Sequence, residues 1–271
     1  MRRLLAALLF CLAVAAAAPA FAREEILSFD VDVTVQTDGD LLVEENIVIR
    51  AEANQIRHGI YRDIPIGVMD DRGLWTADGF DLLGVQQDGK ESPFHTRRQG
   101  RFLRIYIGDA DTDLSPGVYA YTIFYRMSGQ IRFFDGFDEI YWNATGTYWS
   151  FPILGATARV HLPEGAVAQQ VAAYTGARGD NGSAYVVSGG GTRTVSFRTT
   201  SGLAPGEGLT VAVGFTKGVV TKLGRRADLV PGLRESARVH MARAVFHEVC
   251  LQRGQALSVW NVHMDCPCAL S

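Results

Sequence analysis

Between Arg23 and Thr221 the chain has no cysteine. A fold made from those residues cannot rest on disulfides, even in an oxidising compartment. About 200 residues can bury an adequate core without them. No long stretch before residue 222 carries the apolar spacing of a helix, which argues against a helical bundle or alternating strand–helix units. Basic residues are also scarce: residues 23–221 hold 17 against 25 acidic ones, net −8, in a chain of 271 residues and net charge −3. Such a body offers no general basic face to nucleic acid and argues against lying flat on an anionic membrane. Gly-x-Ser-x-Gly, His-Glu-x-x-His and phosphate-binding glycine loops are all missing, so the usual local signals of hydrolytic and phosphoryl-transfer chemistry do not occur.

One apolar run stands out. Arg2 and Arg3 precede Leu4 to Ala17, and Pro19 leads into Ala20-Phe21-Ala22. A basic start, a short apolar centre and a small-x-small end make a secretory signal peptide over 1–22, with the mature chain expected to begin near Arg23. The run falls short of the roughly 20 residues of a membrane span. Cys11 follows bulky Phe10 and lies early, so it reads as an ordinary residue of the apolar region.

From Arg23 to Thr221 the pattern is that of strands. Phe29, Val31, Val33 and Val35 alternate with polar residues, Asp38-Gly39 supplies a turn, and Leu41, Val43, Ile47 and Ile49 resume the alternation. That is a hairpin with one buried face. Leu103, Ile105 and Ile107 form a second stripe, and Tyr119, Tyr121, Ile123 and Tyr125 a third. Further strand-like runs lie at 156–162, 184–187, 194–198 and 209–215, punctuated by Asp88-Gly89, Ser115-Pro116-Gly117, Pro163-Glu164-Gly165, Gly189-Gly190-Gly191 and Pro205-Gly206. Many short strands with regular turns predict an all-β fold, a β-sandwich. Within it, Trp142 and Trp149 bracket Asn143-Ala144-Thr145-Gly146. Two readings fit: a turn whose aromatics plug the core, or an aromatic patch that touches a ligand.

Five pieces of the chain, taken in order, carry a resemblance. They are Ser28 to Val33 through Asp38-Gly39 to Glu45; His58-Gly59-Ile60-Tyr61-Arg62-Asp63-Ile64-Pro65; Ile107-Gly108-Asp109 with Pro116-Gly117 and Tyr121 to Tyr125; Tyr141-Trp142-Asn143-Ala144-Thr145-Gly146; and Gly208 to Phe215. In this order they resemble the N-terminal extracytoplasmic domain of the domain-of-unknown-function family 2207, predicted bacterial membrane proteins, over roughly residues 25–220. The resemblance implies a signal peptide, a β-rich outer domain, transmembrane helices and often a glycine-rich end. It implies no catalysis and no cofactor, hence no catalytic residues to carry over. The candidate binding or structural residues are Tyr61, Arg62, Asp63, Trp142, Asn143, Gly146 and Trp149. Adjacent on a strand, Arg62 and Asp63 would point to opposite faces.

Other chemistry-bearing residues have plain readings. His58 suits a turn histidine bonded to backbone. Asp109, Asp111 and Asp113 have the spacing of a calcium loop, but Leu114 and Ala120 stand where that loop needs Gly and Glu, so they read as loop acids. Asn143-Ala144-Thr145 fits a glycan acceptor, but the pattern is short and commonly accidental, so it reads as a turn.

Residues 222–271 break the pattern: net +3, three of the four cysteines and three of the six histidines. Positions 233–251 could form an amphipathic helix; the rest has no period and could be disordered. His247, Cys250, His263, Cys266 and Cys268 give two His-x-x-Cys pairs and a further thiol, a donor set suited to zinc; accidental clustering explains them as well. A family member would continue toward a membrane helix here, so either a frameshift or a genuine soluble variant accounts for this tail. Translating the other frames from codon 215 would decide. The body reads as a non-enzymatic envelope module that binds a protein or ligand outside the cytoplasm; the alternatives are an unrecognised extracytoplasmic enzyme or a metal-binding tail.

Overall fold

The computed structural model describes residues 23–69, 75–77 and 79–221. An eight-stranded sheet is built on the antiparallel hairpin of β1 (Glu25–Val35) and β2 (Leu41–Ala51). Its order is β15 (Tyr185–Ser188), β16 (Thr194–Thr199), β13 (Ala156–His161), β1, β2, β10 (Gly117–Met127), β6 (Phe80–Gln87) and β7 (Lys90–Glu91). Only β1 and β13 run parallel in it. A four-stranded sheet runs β11 (Ile131–Phe133), β12 (Phe137–Asn143), β17 (Gly208–Thr216), β14 (Ala168–Gly176). A three-stranded sheet runs β3 (Gly59–Pro65), β9 (Phe102–Gly108), β8 (Phe94–Gln99), and β4 (Gly67–Met69) pairs with β5 (Trp75–Ala77). No described residue is helical. The architecture is all-β, with sheets layered face to face, as the alternation predicts.

Period-two patterning explains the layering, because side chains alternate between faces along a strand. β2 buries Leu41, Val43, Glu45, Ile47, Ile49 and Ala51, and β10 buries Tyr121, Ile123, Tyr125 and Met127. All of these but Glu45 share one hydrophobic core with Phe29, Val31 and Val33 of β1, Ile105 and Ile107 of β9, and Val211, Val213 and Phe215 of β17. Fully burying each such side chain is worth about 1.5–3 kcal/mol. The turn between β1 and β2 follows its residues: Gly39 takes φ +85° and the Asp38 carboxylate accepts the Asp40 amide N–H at 3.1 Å.

Several strands were not legible as stripes. β3 is the Gly-Ile-Tyr-Arg-Asp-Ile-Pro motif itself; β6, β8 and β14 lack clean alternation because exposed or half-buried residues interrupt it, and β12 alternates in burial but hides it by burying Asp138 and exposing Tyr141. The signal peptide and the tail expectations lie outside the described residues.

Candidate functional site

At the centre of the core lies a buried ion pair. The Arg62 Nε–H donates to Glu45 Oε2 at 2.7 Å and an Nη2–H to Glu45 Oε1 at 2.8 Å. The third guanidinium nitrogen donates to the Asp63 carbonyl at 3.0 Å, and the Tyr125 hydroxyl donates to Glu45 Oε1 at 2.7 Å. The side chains of Arg62 and Glu45 are 4% and 0% exposed. Arg62 also faces the rings of Phe29 and Trp149, 5.5 and 5.9 Å from their centroids. Burial disfavours a charged guanidinium, but the Glu45 carboxylate outweighs it and raises the Arg62 pKa. Burial, followed by the adjacent carboxylate, pushes the Tyr125 phenol well up. Every donor and acceptor here has a partner, as a buried pair requires to persist.

The Trp-Asn-x-Thr-Gly motif closes over this pair. The Asn143 side-chain oxygen accepts the Gly146 N–H at 3.0 Å, and the Thr145 carbonyl accepts the Trp149 indole N–H at 2.8 Å. The Leu209 N–H donates to the Thr145 hydroxyl at 2.9 Å, which ties the turn to β17. Gly146 has φ +75°, and a Cβ there would lie 2.5 Å from Arg62 Nη1. Both tryptophans are buried, Trp142 at 6% and Trp149 at 8% exposure. Gly59 and Gly108 sit opposite each other across β3 and β9, both at positive φ, where a Cβ on either would overlap the other strand's carbonyl. Glycines in two separate motifs therefore permit one close approach.

Of the seven candidates, Arg62, Trp142, Asn143, Gly146 and Trp149 thus belong to the core and its turn, while Tyr61 and Asp63 face the other way. Asp63 accepts Arg104 Nε–H and Nη2–H, both at 2.7 Å, and the Arg104 guanidinium lies 4.1 Å from the Tyr61 ring centroid. The Asp63 hydrogen bond raises the Arg104 pKa. His95 stacks on Tyr106 at 4.5 Å, and Phe102 meets Tyr148 edge-on at 4.7 Å. The outward side of the three-stranded sheet is therefore an aromatic and arginine surface. In the sequence Arg104 and Tyr106 stand only as the residues that alternate with the Leu103, Ile105 and Ile107 stripe, and His95 belongs to no motif.

The remaining candidates are dispersed. His58 Nδ1 lies 3.1 Å from the Thr112 carbonyl, in keeping with a turn histidine. Asp109 accepts the Asp111 N–H at 2.9 Å and Asp113 pairs with Arg57 at 3.3 Å, so these acids organise their own loop. On the outward face of the eight-stranded sheet, His161 Nδ1 lies 3.3 Å from Thr194 Oγ1 and its Nε2 lies 3.0 Å from Asp32 Oδ1. Arg159 donates two bonds, at 2.7 and 2.6 Å, to the same carboxylate. Burial would raise the Asp32 pKa, but His161 and Arg159 hold it well below the usual carboxylate range. Glu24 accepts the amides of Glu52, Asn54, Gln55 and Ile56, which outweigh its burial and lower its pKa. His247, Cys250, His263, Cys266 and Cys268 lie outside the described residues.

The sequence profile of the N-terminal domain of a predicted membrane protein family, DUF2207, matches residues 25–215. The uncharacterized protein YciQ of Escherichia coli K12 is 32% identical over 160 residues, which is 58% of this chain and 25% of YciQ. The match therefore spans about a quarter of that relative's length. Among solved structures, native yeast LTA4 hydrolase aligns with 70% of this chain and 29% of its own, at 11% identity and TM-score 0.46. An M1 zinc metallopeptidase of Deinococcus radiodurans aligns with 69% of this chain and 42% of its own, at 14% identity and TM-score 0.39. Likenesses at this level say nothing about zinc or peptidase chemistry here.

Proposed function

Because this chain belongs to the DUF2207 family of predicted membrane proteins, over its N-terminal domain, we propose that residues 23–221 form a non-enzymatic module held outside the cytoplasm, which recognises a partner through the outward face of the three-stranded sheet. The carrying observation is how the motif residues divide. Arg62, Glu45, Tyr125, Gly146 and Trp149 satisfy one another inside the core, so their chemistry is spent on the fold. Tyr61, Tyr106, Phe102, Tyr148 and His95 present rings outward, and tyrosine and arginine are the residue types that anchor interfaces.

Two measurements test this. Alkaline phosphatase fused after Thr221 folds only in an oxidising compartment, and its activity in cells is the expected result; an inactive fusion refutes extracytoplasmic placement. A photocrosslinking residue at Tyr61 or Tyr148 should give adducts that the same residue at Tyr141, on the four-stranded sheet, does not. Equal labelling at all three sites refutes a recognition face.

An enzymatic reading has one observation in its favour, the Thr194–His161–Asp32 relay, which places a hydroxyl, a base and an orienting acid in a line. Against it, Asp32 is already held by Arg159. Hydrolysis of an acyl ester substrate that Thr194→Ala abolishes would establish this second reading.

A further inference from the structure

Charge on this body is not spread evenly. The segment from Phe94 to Arg104 carries four arginines and no acid, whereas the rest of residues 23–221 holds 13 basic and 25 acidic residues, net −12. That segment is the β8–β9 hairpin. β8 is the edge strand of its sheet and all six of its residues are exposed. Arg97 stands directly opposite Arg104, and Asp63 stands opposite Arg104 on the far side. Asp63 takes two hydrogen bonds from Arg104, while Arg97, on the other side of that guanidinium, has no hydrogen bond or ion pair among the described residues. Like charges directly opposite one another destabilise a strand pair, so the arrangement does not serve the fold. Arg98 is on the same exposed edge strand but takes its opposite face, and donates to the Gly100 carbonyl at 3.2 Å. Phe94, 46% exposed, shares the face of Arg98, and Tyr148, 43% exposed, packs on Phe102 on the face of Arg97.

We infer that the β8 edge of this hairpin docks on the surface of an anionic phospholipid bilayer, with Arg97 and Arg98 on headgroup phosphates and Phe94 and Tyr148, one on either side of the edge, at the interfacial level. This rests on the recognition module proposed above and names its partner. Guanidinium groups match phosphate oxygens in geometry, aromatic rings favour the zone between water and hydrocarbon, and the family is one of membrane proteins. Charge complementarity also sets the orientation. The hairpin turns toward the anionic surface and the remainder, net −12, is repelled from it, so the body stands edge-on rather than flat. The overall acidity excludes a broad contact and leaves a local one.

Vesicle flotation of the full mature chain tests this, with phosphatidylcholine vesicles that contain or lack about a third phosphatidylglycerol. The chain should float with anionic vesicles alone and be released in 1 M salt, where screening is complete within about 3 Å. Each basic side chain near the surface is worth roughly fivefold in partitioning, so Arg97→Gln with Arg98→Gln should weaken binding by about 25-fold. The distant pair Arg178→Gln with Arg193→Gln should leave it unchanged. Thermal melts of the hairpin variant should match or exceed wild type, since a like-charge contact is removed. No flotation at low salt overturns the inference, as does equal weakening by both pairs, which would mean that net charge alone acts. Displacement by stoichiometric polyaspartate would also overturn it in favour of an acidic polymer. Adducts at Tyr61 to a protein or glycan, without vesicle binding, would overturn the membrane as occupant while sparing the recognition module.

Discussion

Replacing Arg62 by methionine keeps most of the side-chain volume and deletes three hydrogen bonds: two to Glu45 and one to the Asp63 carbonyl. Glu45, 0% exposed, would be left with the Tyr125 hydroxyl as its remaining donor. Removing one partner of a buried ion pair costs about 3–5 kcal/mol, a large fraction of the about 5–15 kcal/mol that holds a domain together. In urea, with a slope of about 2.5 kcal/mol/M, that is a midpoint shift of about 1–2 M. Glu45→Gln keeps the shape and an acceptor oxygen for Tyr125, so it should cost less, about 1.5–3 kcal/mol. The double variant Arg62→Met with Glu45→Leu removes both charges and should recover much of the loss, since apolar replacement of a buried pair is often near neutral. Equilibrium unfolding of residues 23–221, followed by tryptophan fluorescence and far-UV circular dichroism, gives all three values and, with the single variant Glu45→Leu to close the cycle, the Arg62–Glu45 coupling. An Arg62→Met cost below about 1 kcal/mol, or a double variant no better than the sum of its singles, would refute the clamp.

Four further outcomes are expected. Trp149→Ala and Trp142→Ala should each cost about 3–5 kcal/mol by emptying a core site; Trp149→Phe should cost more than Trp142→Phe, because only the Trp149 indole N–H has an acceptor among the described residues, and chemical melts of the four variants check this. Gly146→Ala should destabilise strongly, since it forces φ +75° on a residue with a Cβ and drives that Cβ into Arg62; paired with Arg62→Met its added cost should fall, as a double-mutant cycle would read. Asp32 and Glu24 both have lowered pKa values in the fold; their contributions are complete above the ordinary carboxylate range near pH 4 and vanish as pH falls through the lowered values. Stability should therefore be flat above about pH 5 and decline below about pH 4, and Asp32→Asn should flatten part of the decline in acid melts. Finally, residues 23–221 expressed alone should give a strand-dominated far-UV spectrum unchanged by reductant, as a cysteine-free body requires.

The amino-acid sequence by itself determined the class of fold. Phe29 to Val35 and Leu41 to Ile49 alternate around a turn that tolerates positive φ, and period two admits a strand with one buried face and little else. Glu45 was legible too in principle. It occupies the same parity as Leu41, Val43, Ile47 and Ile49, as Arg62 shares the parity of Ile60 and Ile64, and two opposite charges on inward positions of two strands invite a buried pair. What the chain could not disclose is that β3 crosses β2 at that level, for the two residues are 17 positions apart on strands of different sheets. Parity fixes which face a side chain takes, but the partner across a layer depends on how sheets stack. The same holds for Gly146, which reads as an ordinary turn glycine until Arg62 is placed against it. It holds as well for the outward surface, where His95 meets Tyr106, and Phe102 meets Tyr148, because β8, β9 and the turn before Trp149 come together in space. Local chemistry chose the strands, and long-range packing decided which motif residues were consumed by the core and which were left facing out.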